Sequence, residues 1–211
     1  MIRISVTSKL DGIRSWSLQA RDTCPGAIGA EACKGCYATQ GNYRYPNVKA
    51  PRIENREDWK RDDWEDEMVK ALDKDRYFRW FDSGDSYSLA LAIKIYRVML
   101  RTPWCKHWLP TRMGKFAKFA PVLSKMQSLP NVMVRFSSDS IFGEFDNRHG
   151  STIFPTIAHV TENAKPCLAY ENAGKCNGCR SCWDKSVPVI GYIAHGKTML
   201  KHVRIAMESI S

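Results

Sequence analysis

The chain has 211 residues, of which 44% are hydrophobic and 26% charged, and its formal net charge is +10. Seven Trp, eight Tyr and eight Phe supply enough apolar surface for a folded core, so the composition excludes intrinsic disorder. The sequence has no apolar run near the ~20 residues that cross a bilayer and no apolar signal-peptide segment at its N-terminus, so we expect one cytoplasmic domain over residues 1–211 and no membrane partner.

The predicted elements alternate between strands and helices. Strands are predicted at 13–20, 77–81, 105–109, 131–136, 156–160 and 189–193, and helices at 56–73, 89–100 and 114–128, the last with a kink at Pro121. This alternation predicts an α/β fold with βαβ units and a mainly parallel sheet. The strands are too few for a closed eight-fold barrel. We therefore expect about five to six parallel strands, in a partial (β/α) barrel or a doubly wound sheet.

Eight cysteines in a chain expected to lie in a reducing compartment need a reason other than disulfides. Seven of them form two groups: an N-terminal group of Cys24, Cys33 and Cys36, and a C-terminal group of Cys167, Cys176, Cys179 and Cys182 within the cysteine-rich segment 165–185. Cys105 stands alone in an apolar stretch and is predicted to be a core residue.

The spacing of each group indicates metal binding. Three N-terminal thiolates with no neighbouring histidine would leave one iron of a [4Fe–4S] cluster without a protein thiolate. The run from Cys176 to Cys182 resembles the C-x2-C-x2-C of ferredoxin-type [4Fe–4S] sites, with Cys167 as a fourth ligand. A four-thiolate zinc site is the alternative for this second group. Buried thiols without a metal are less consistent with the Gly, Asn, Lys and Arg residues that surround the cysteines.

Polar residues follow several predicted strands, where the carboxyl ends of parallel strands form one edge of a sheet. Ligands bind at that edge in α/β folds. The candidate ligand contacts are Asp85 and Asp139, with the adjacent Ser83 and Ser138, whose carboxylates and hydroxyls suit a ligand's hydroxyl or amine groups. Capping of the following helix is the better interpretation for Ser86. The same edge is expected to carry Thr111, Arg112, Thr161, His195, Gly196 and Lys197.

Four stretches, in matching order, resemble the phage gene-product-eighty-eight family, which is related to radical-SAM proteins. They are Cys24-Pro-Gly through Cys33-x2-Cys36-Tyr37-Ala38, Phe81-x-Ser-Gly-Asp85, Arg135-Phe-Ser-Ser-Asp139, and Lys175-Cys-x2-Cys-Arg-x-Cys182-Trp183-Asp184. The resemblance spans residues 24–184. It implies a radical-SAM-like partial (β/α) barrel, a [4Fe–4S] cluster near the end of the first strand and a second cysteine group in the C-terminal third.

Radical-SAM chemistry, if the resemblance carries it, assigns roles to these residues. Cys24, Cys33 and Cys36 would hold three irons, and the fourth would bind S-adenosylmethionine for reductive cleavage, which requires an electron donor. Ser83, Gly84 and Asp85 would contact the methionine amine. This chain has C-x8-C-x2-C where the superfamily has C-x3-C-x2-C, and its aromatic Tyr37 follows the last cysteine instead of preceding it. A longer loop can still wrap a cubane cluster.

The positive charge is concentrated in the middle of the chain. Residues 54–75 are acid-rich, whereas 86–138 contain no Asp or Glu. The cations of this basic stretch are Lys94, Arg97, Arg101, Lys106, Arg112, Lys115, Lys118, Lys125 and Arg135. Such a stretch attracts polyanions, and Trp104 and Trp108 could stack on bases; a solvated helix face is the simpler interpretation.

Two functions therefore compete. The first is a phage-encoded [4Fe–4S] protein of the host cytoplasm, a radical-SAM-type enzyme that acts on a nucleotide or nucleic acid. The second is a non-catalytic cluster- or zinc-binding protein that binds nucleic acid or a host factor.

Overall fold

The computed structural model describes residues 2–146 and 149–209. Within these residues the strands are β1 (Ser5–Val6), β2 (Arg14–Trp16), β3 (Tyr77–Trp80), β4 (Lys106–Thr111), β5 (Val132–Ser137), β6 (Gly150–Phe154), β7 (Ala164–Cys167) and β8 (Val189–Ile193). The helices are α1 (Glu31–Lys34), α2 (Pro46–Asp58), α3 (Trp64–Ala71), α4 (Leu89–Arg101), α5 (Ala120–Ser128) and α6 (Lys197–Glu208). Short 3-10 turns connect several of them.

These strands form one eight-stranded sheet in the order β1-β2-β3-β4-β5-β6-β8-β7. β1 pairs antiparallel with β2, and every other neighbouring pair is parallel. The prediction of an α/β fold with a mainly parallel sheet is confirmed, although the sheet has more strands than expected. β7 precedes β8 in the chain but lies outside it, so the cysteine-rich segment returns from the edge of the sheet to enter β8.

The main core lies between one face of the sheet and the helices α3, α4 and α5. Trp16, Trp64 and Trp80 are fully buried there, and the rings of Trp16 and Trp64 meet edge to face with centroids 5.4 Å apart. A fully buried apolar side chain contributes ~1.5–3 kcal/mol to folding, and edge-to-face aromatic pairs add to that. Because side chains alternate along a strand, β3 sends Phe78 and Trp80 into this core and turns Arg79 to the opposite face.

Most predicted elements are confirmed, although the strand predicted at 13–20 is shorter, since β2 spans Arg14–Trp16, and the helix predicted at 114–128 begins only at Ala120 as α5. β8 coincides with the predicted strand at 189–193, and α4 extends the predicted helix at 89–100 by one residue. The predicted helix at 56–73 is two elements, because α2 ends at Asp58 and α3 begins at Trp64. Trp64, Met68 and Leu72 are fully buried, as their helical spacing predicts.

Three local predictions are wrong. The strand expected at 156–160 contains a 3-10 turn at Ile157–His159, and the strand in this region is the earlier β6. Pro155, which follows β6, has no N–H to continue a ladder, and Thr161 consequently does not follow a strand. Pro121 does not kink a helix; it lies in the first turn of α5, where its missing N–H costs nothing.

The described part of the chain offers no helix suited to crossing a membrane. Its longest helices, α2 and α4, have 13 residues each, whereas a transmembrane helix needs ~20.

Candidate functional site

The N-terminal cysteine group lies on a loop that starts after β2 and packs against the carboxyl ends of β4 and β5. The amide of Ala32 donates a hydrogen bond to the carbonyl of Asp139 (2.9 Å), and Lys115 Nζ donates to the carbonyl of Gly26 (2.9 Å). A Cβ on Gly26 would lie 2.6 Å from Cβ of Arg112. Only glycine therefore permits the loop to approach β4 this closely.

The three N-terminal thiols lie within one another's electrostatic range. Burial, with smaller contributions from the neighbouring Asp85, Cys36 and Cys33, raises the pKa of Cys24 to about 12, while a backbone hydrogen bond with Arg21 opposes the rise. Burial also raises the pKa of Cys33, while Arg112 opposes the change. All three thiols are half-buried and free of disulfides. An additional positive charge, such as a metal, would favour the thiolate forms of Cys24 and Cys33.

Helix α6 closes the other side of this loop. Ala32 on the loop packs with Met199 and Val203 of α6, together with Ile141 and Ala194. The loop is therefore held between α6 and the carboxyl edge of the sheet. The sequence did not predict α6.

Ser83, Gly84 and Asp85 lie at the same edge, directly after β3, and their polar groups are hydrogen-bonded within the protein. The hydroxyl of Ser83 donates to the carbonyl of Leu18 (2.7 Å). The carboxylate of Asp85 accepts hydrogen bonds from the Thr111 hydroxyl (2.7 Å) and the Arg112 amide (2.8 Å). Gly84 has φ +78° and approaches Leu18 so closely that a Cβ would lie 2.6 Å from it. These bonds tie β3 to β2 and β4; contact with a ligand stays a prediction.

Phe81 has φ 54°, in the left-handed region that bulky residues avoid. This conformation costs ~1–3 kcal/mol and is concentrated at functional sites. It turns the chain after β3, so that Asp82 reaches the guanidinium of Arg52 (2.6 Å). Nothing in the sequence signals this strain.

Ser138 and Asp139 follow β5 and are more accessible than Asp85. Asp139 forms ion pairs with Lys115 and with Arg112 Nε (3.4 Å), and Arg112 also donates to the carbonyl of Ser138 (2.8 Å). The structure thus brings Asp139, Arg112 and Lys115 together beside Cys33, whose pKa all three influence.

The C-terminal cysteine group links the β7 edge of the sheet to the N-terminal residues. The amide of Cys176 donates to the carbonyl of Lys9 (2.9 Å), and the amide of Gly178 donates to the carboxylate of Asp11 (2.9 Å). Cys167 is the last residue of β7, and its charge acts on the thiols of Cys176 and Cys182. All four cysteines are free of disulfides.

The thiols of this group differ in their surroundings. Burial raises the pKa of Cys182 to about 11, and the Tyr192 hydroxyl lies 3.8 Å from its sulfur. Cys179 is exposed; burial opposes its ionisation, but hydrogen bonds with the hydroxyl and amide of Ser181 prevail and lower its pKa. Cys179 therefore ionises more readily than Cys176 and Cys182, whose pKa values are raised by burial.

Arg135 anchors the chain around Cys182. It is fully buried on β5, and its guanidinium donates to six backbone carbonyls and to no carboxylate. The acceptors are Cys182 (3.0 Å), Ser181 (2.7 Å), Asp184 (2.9 Å), Val187 (3.1 Å), Gly150 (3.4 Å) and Pro188 (3.4 Å). This cation is a structural support for the segment 181–188, not part of a surface patch.

Most other cations of the basic stretch 86–138 are also paired. Arg97 and Arg101 on α4 reach Glu65 (3.2 Å) and Asp66 (2.7 Å) on α3, within the acid-rich stretch. Lys94 donates to backbone carbonyls of the loop before α3. The fold therefore neutralises much of the charge asymmetry that the sequence displays.

Cys105 is fully buried in the main core, as predicted. No three His, Cys, Asp or Glu side chains in the part of the chain that the structure describes converge closely enough to hold a metal ion. The two cysteine groups are each assembled on one segment, but metal coordination by them stays a prediction.

Arg79, Tyr37 and Tyr192, none of them predicted as a ligand contact, lie near the cysteine groups. Arg79 on β3 acts electrostatically on both tyrosines. Tyr37 follows Cys36 in the chain, and the Tyr192 hydroxyl contacts the Cys182 sulfur. The signal available in the sequence was a charged residue inside an otherwise apolar strand, Tyr-Phe-Arg-Trp. A buried charge of this kind calls for a partner.

These features define an α/β protein with a mostly parallel sheet. The N-terminal cysteine loop lies at the carboxyl edge of this sheet, and the C-terminal cysteine segment packs against the face opposite the main core. A family model matches residues 5–191, well over half of the chain. The chain belongs to the Gene product 88 family of phage proteins. We found no match among curated proteins and none among solved structures.

Proposed function

We propose that the chain binds a [4Fe–4S] cluster through Cys24, Cys33 and Cys36, with one iron free of protein thiolates. The observation that carries this proposal is the shared position of the three thiols on one loop at the carboxyl edge of the sheet, where Cys33 and Cys36 lie close enough to act electrostatically on Cys24, and Cys36 on Cys33. The donor set is all sulfur, which suits iron–sulfur clusters. Its site is enclosed by α6 and by Arg112, so bulk water is partly excluded.

The C-terminal group, Cys167, Cys176, Cys179 and Cys182, is proposed to hold a second centre. Four thiols on one short segment suit a second [4Fe–4S] cluster, and a four-thiolate zinc site is the alternative. The buried guanidinium of Arg135 lies beside Cys182 and partly opposes the rise that burial causes in the pKa of this thiol. A thiolate centre, which is anionic, is favoured by that charge.

A radical-SAM-like partial barrel is part of this proposal. The segment that begins after Cys167 at the β7 edge hydrogen-bonds to Lys9 and Asp11, which flank the first two strands at the other edge. Cys176 lies nine positions after Cys167, and a chain of that length spans at most ~30 Å. Neighbouring strands lie ~4.8 Å apart, so the two edges of an eight-stranded sheet come within that span when the sheet is curved.

An enzymatic activity would follow from the open iron. A bound cluster supplies one-electron chemistry toward S-adenosylmethionine, and a nucleotide or nucleic acid is the proposed substrate class. Arg112, Lys115 and Asp139 are placed to position a polar ligand beside Cys33. The enzyme would work in the host cytoplasm with an electron donor.

Metal analysis of anaerobically purified protein tests the two centres. We expect about eight irons per chain, in two cubane clusters, or about four irons with one zinc. Cys24→Ala should lose about four irons, and Cys179→Ala should lose the metal of the second centre. Cys105→Ala is the matched control, because this cysteine belongs to the core and should leave the metal content unchanged. Colourless protein with zinc alone, or an iron content of Cys24→Ala equal to that of the wild type, would contradict the proposal.

The S-adenosylmethionine step has a separate test. Reduced, iron-loaded wild-type protein should release 5′-deoxyadenosine, and Cys24→Ala should not. No release from fully loaded protein under several reductants would overturn the enzymatic part and leave cluster binding intact.

The second candidate function is nucleic-acid binding without catalysis, and one groove favours it. A groove of about 620 Å³ is lined by Trp104, Arg14, Lys70 and Lys74, together with Asp73 and Asp75. Trp104 exposes 39% of its surface there and could stack on a base. This function predicts DNA or RNA binding that falls steeply with salt, persists in Cys24→Ala and is lost in Trp104→Ala. Equal binding by wild type and Trp104→Ala would exclude the groove.

A further inference from the structure

Arg79 is a cation on the face of the sheet opposite the helical core. Its neighbours on β3, Phe78 and Trp80, are fully buried in that core. Its guanidinium carbon lies 4.6 Å from the centroid of the Trp108 ring, so stacking fixes its position. Only 12% of its side chain is exposed. Such a cation requires compensation.

The carboxylate beside Arg79 is already used by other groups. Asp82 Oδ2 accepts a hydrogen bond from Arg52 (2.6 Å), and Oδ1 accepts one from the Tyr43 hydroxyl (2.5 Å). The Arg79 guanidinium lies 3.7 Å from Oδ1, which is too long for a hydrogen bond. One carboxylate therefore faces two guanidinium groups, and a positive charge is left over at Arg79.

Arg79 also has unused hydrogen-bonding capacity. Its Nε is buried and has no hydrogen-bond partner among the described residues, while its guanidinium also hydrogen-bonds with the Tyr37 side chain. Arg135, the other buried arginine on this face, differs because all its nitrogens donate to carbonyls. Arg79 therefore keeps a donor without a partner, whereas Arg135 keeps none.

Tyr37 provides a route from the surface to this position. Its hydroxyl donates to the carbonyl of Asp82 (2.8 Å), while half of its surface, 51%, is exposed to solvent. Its ring meets that of Tyr43 edge to face, with centroids 5.5 Å apart. A small molecule that contacts Tyr37 is thus next to Arg79.

We propose that Arg79 binds an oxyanion, the carboxylate or phosphate group of a small molecule that enters along Tyr37. A guanidinium presents paired N–H donors that match both groups, and the stacking on Trp108 leaves its edge available. The site lies beside the Cys36 loop, so the bound molecule would be close to the N-terminal cysteine group. This inference rests on charge balance and hydrogen bonding, and it stands whether or not the cysteines bind iron.

Titration of the full chain with inorganic phosphate, and separately with acetate, tests the site at ionic strength held constant with sodium chloride. We expect either anion to raise the thermal midpoint of the wild type. Arg79→Met should bind at least tenfold more weakly by calorimetry, and Arg79→Lys should retain part of the affinity. Arg97→Met, which removes an exposed cation of α4, is the control and should match the wild type.

The outcomes separate this site from its alternatives. Equal binding by wild type and Arg79→Met, or no binding of either anion by wild type, overturns the proposal. If Arg79→Met does not fold, Arg79→Gln replaces it, with the same expected loss. Iron is measured in the same samples: loss of iron with unchanged anion binding would make Arg79 a counter-charge for a metal centre and would also overturn the proposal.

Discussion

Replacement of Arg135 by methionine tests how the C-terminal cysteine group is held in place. Arg135→Met keeps most of the side-chain volume and removes the guanidinium that joins β5 to the segment 181–188. Four of its six hydrogen bonds are 2.7–3.1 Å long, and their acceptors are backbone carbonyls. Because the arginine is fully buried, water does not replace it without local opening of the segment.

The magnitude follows from two opposing terms. Hydrogen bonds from a charged donor contribute ~1.5–3 kcal/mol each, so four of them are worth on the order of 6–12 kcal/mol before any correction. Removal of a buried charge recovers several kcal/mol of desolvation. We therefore expect Arg135→Met to lower the free energy of unfolding by about 3–5 kcal/mol. Arg135→Lys keeps the charge but not the fork of donors, and most of the loss should remain.

Urea denaturation at matched metal content measures the difference, and limited proteolysis locates it. Cleavage should appear first within 181–188 in Arg135→Met. Arg97→Met, on the exposed face of α4, is the control and should change stability by less than ~1 kcal/mol. A loss below ~1 kcal/mol in Arg135→Met, with no new cleavage, would refute the view that Arg135 holds this segment.

Three further predictions concern titratable groups. His107 is buried, and desolvation lowers its pKa to about 3, so its stabilising contribution is present above pH ~6.5 and is lost as the pH falls toward 3. His107→Gln should therefore make the free energy of unfolding less dependent on pH across this window. An unchanged slope would contradict the assignment. In metal-free protein, iodoacetamide should label Cys179 before Cys24, whose pKa of about 12 delays its reaction; peptide mass spectrometry would show the reverse order if the assignment is wrong. Asp85→Asn should cost about 1–3 kcal/mol by thermal unfolding, because its carboxylate joins β3 to β4; a neutral effect would argue that Asp85 serves a ligand instead.

The parts of the fold that the sequence predicts well are those in which apolar side chains carry a clear period. α4 has a wide apolar face at helical spacing and β8 is a short apolar run, and both were located to within one residue. α2 was missed before residue 56 because it is largely polar and contains Pro51. β6 and β7 were missed because Gly150 and Pro166 are poor strand residues in isolation. Their parallel partners in the sheet determine their conformation.

The candidate site divides in the same way. The spacing of the cysteines in the sequence was sufficient to predict the two groups, since cysteines three positions apart, such as Cys33 and Cys36, remain neighbours in any compact loop. The contacts of Arg112 and Arg135 with the cysteine segments could not be predicted without the topology, because they form only when β4 and β5 lie side by side. The ion pairs could not be predicted from the sequence either. The acid-rich α3 and the basic α4 pair with each other in the fold, whereas in the sequence they form two separate stretches of opposite charge.

The hydrogen bond from Gly178 to Asp11 joins residues 167 positions apart. Closing a loop of that length in an unstructured chain costs about 4–5 kcal/mol of entropy, so the contact forms only after the intervening strands have assembled. During synthesis on the ribosome, the C-terminal cysteines emerge after the N-terminal group and dock only once these strands are in place. We expect their thiols to stay accessible until the sheet is complete, after which the docked segment restricts access to them.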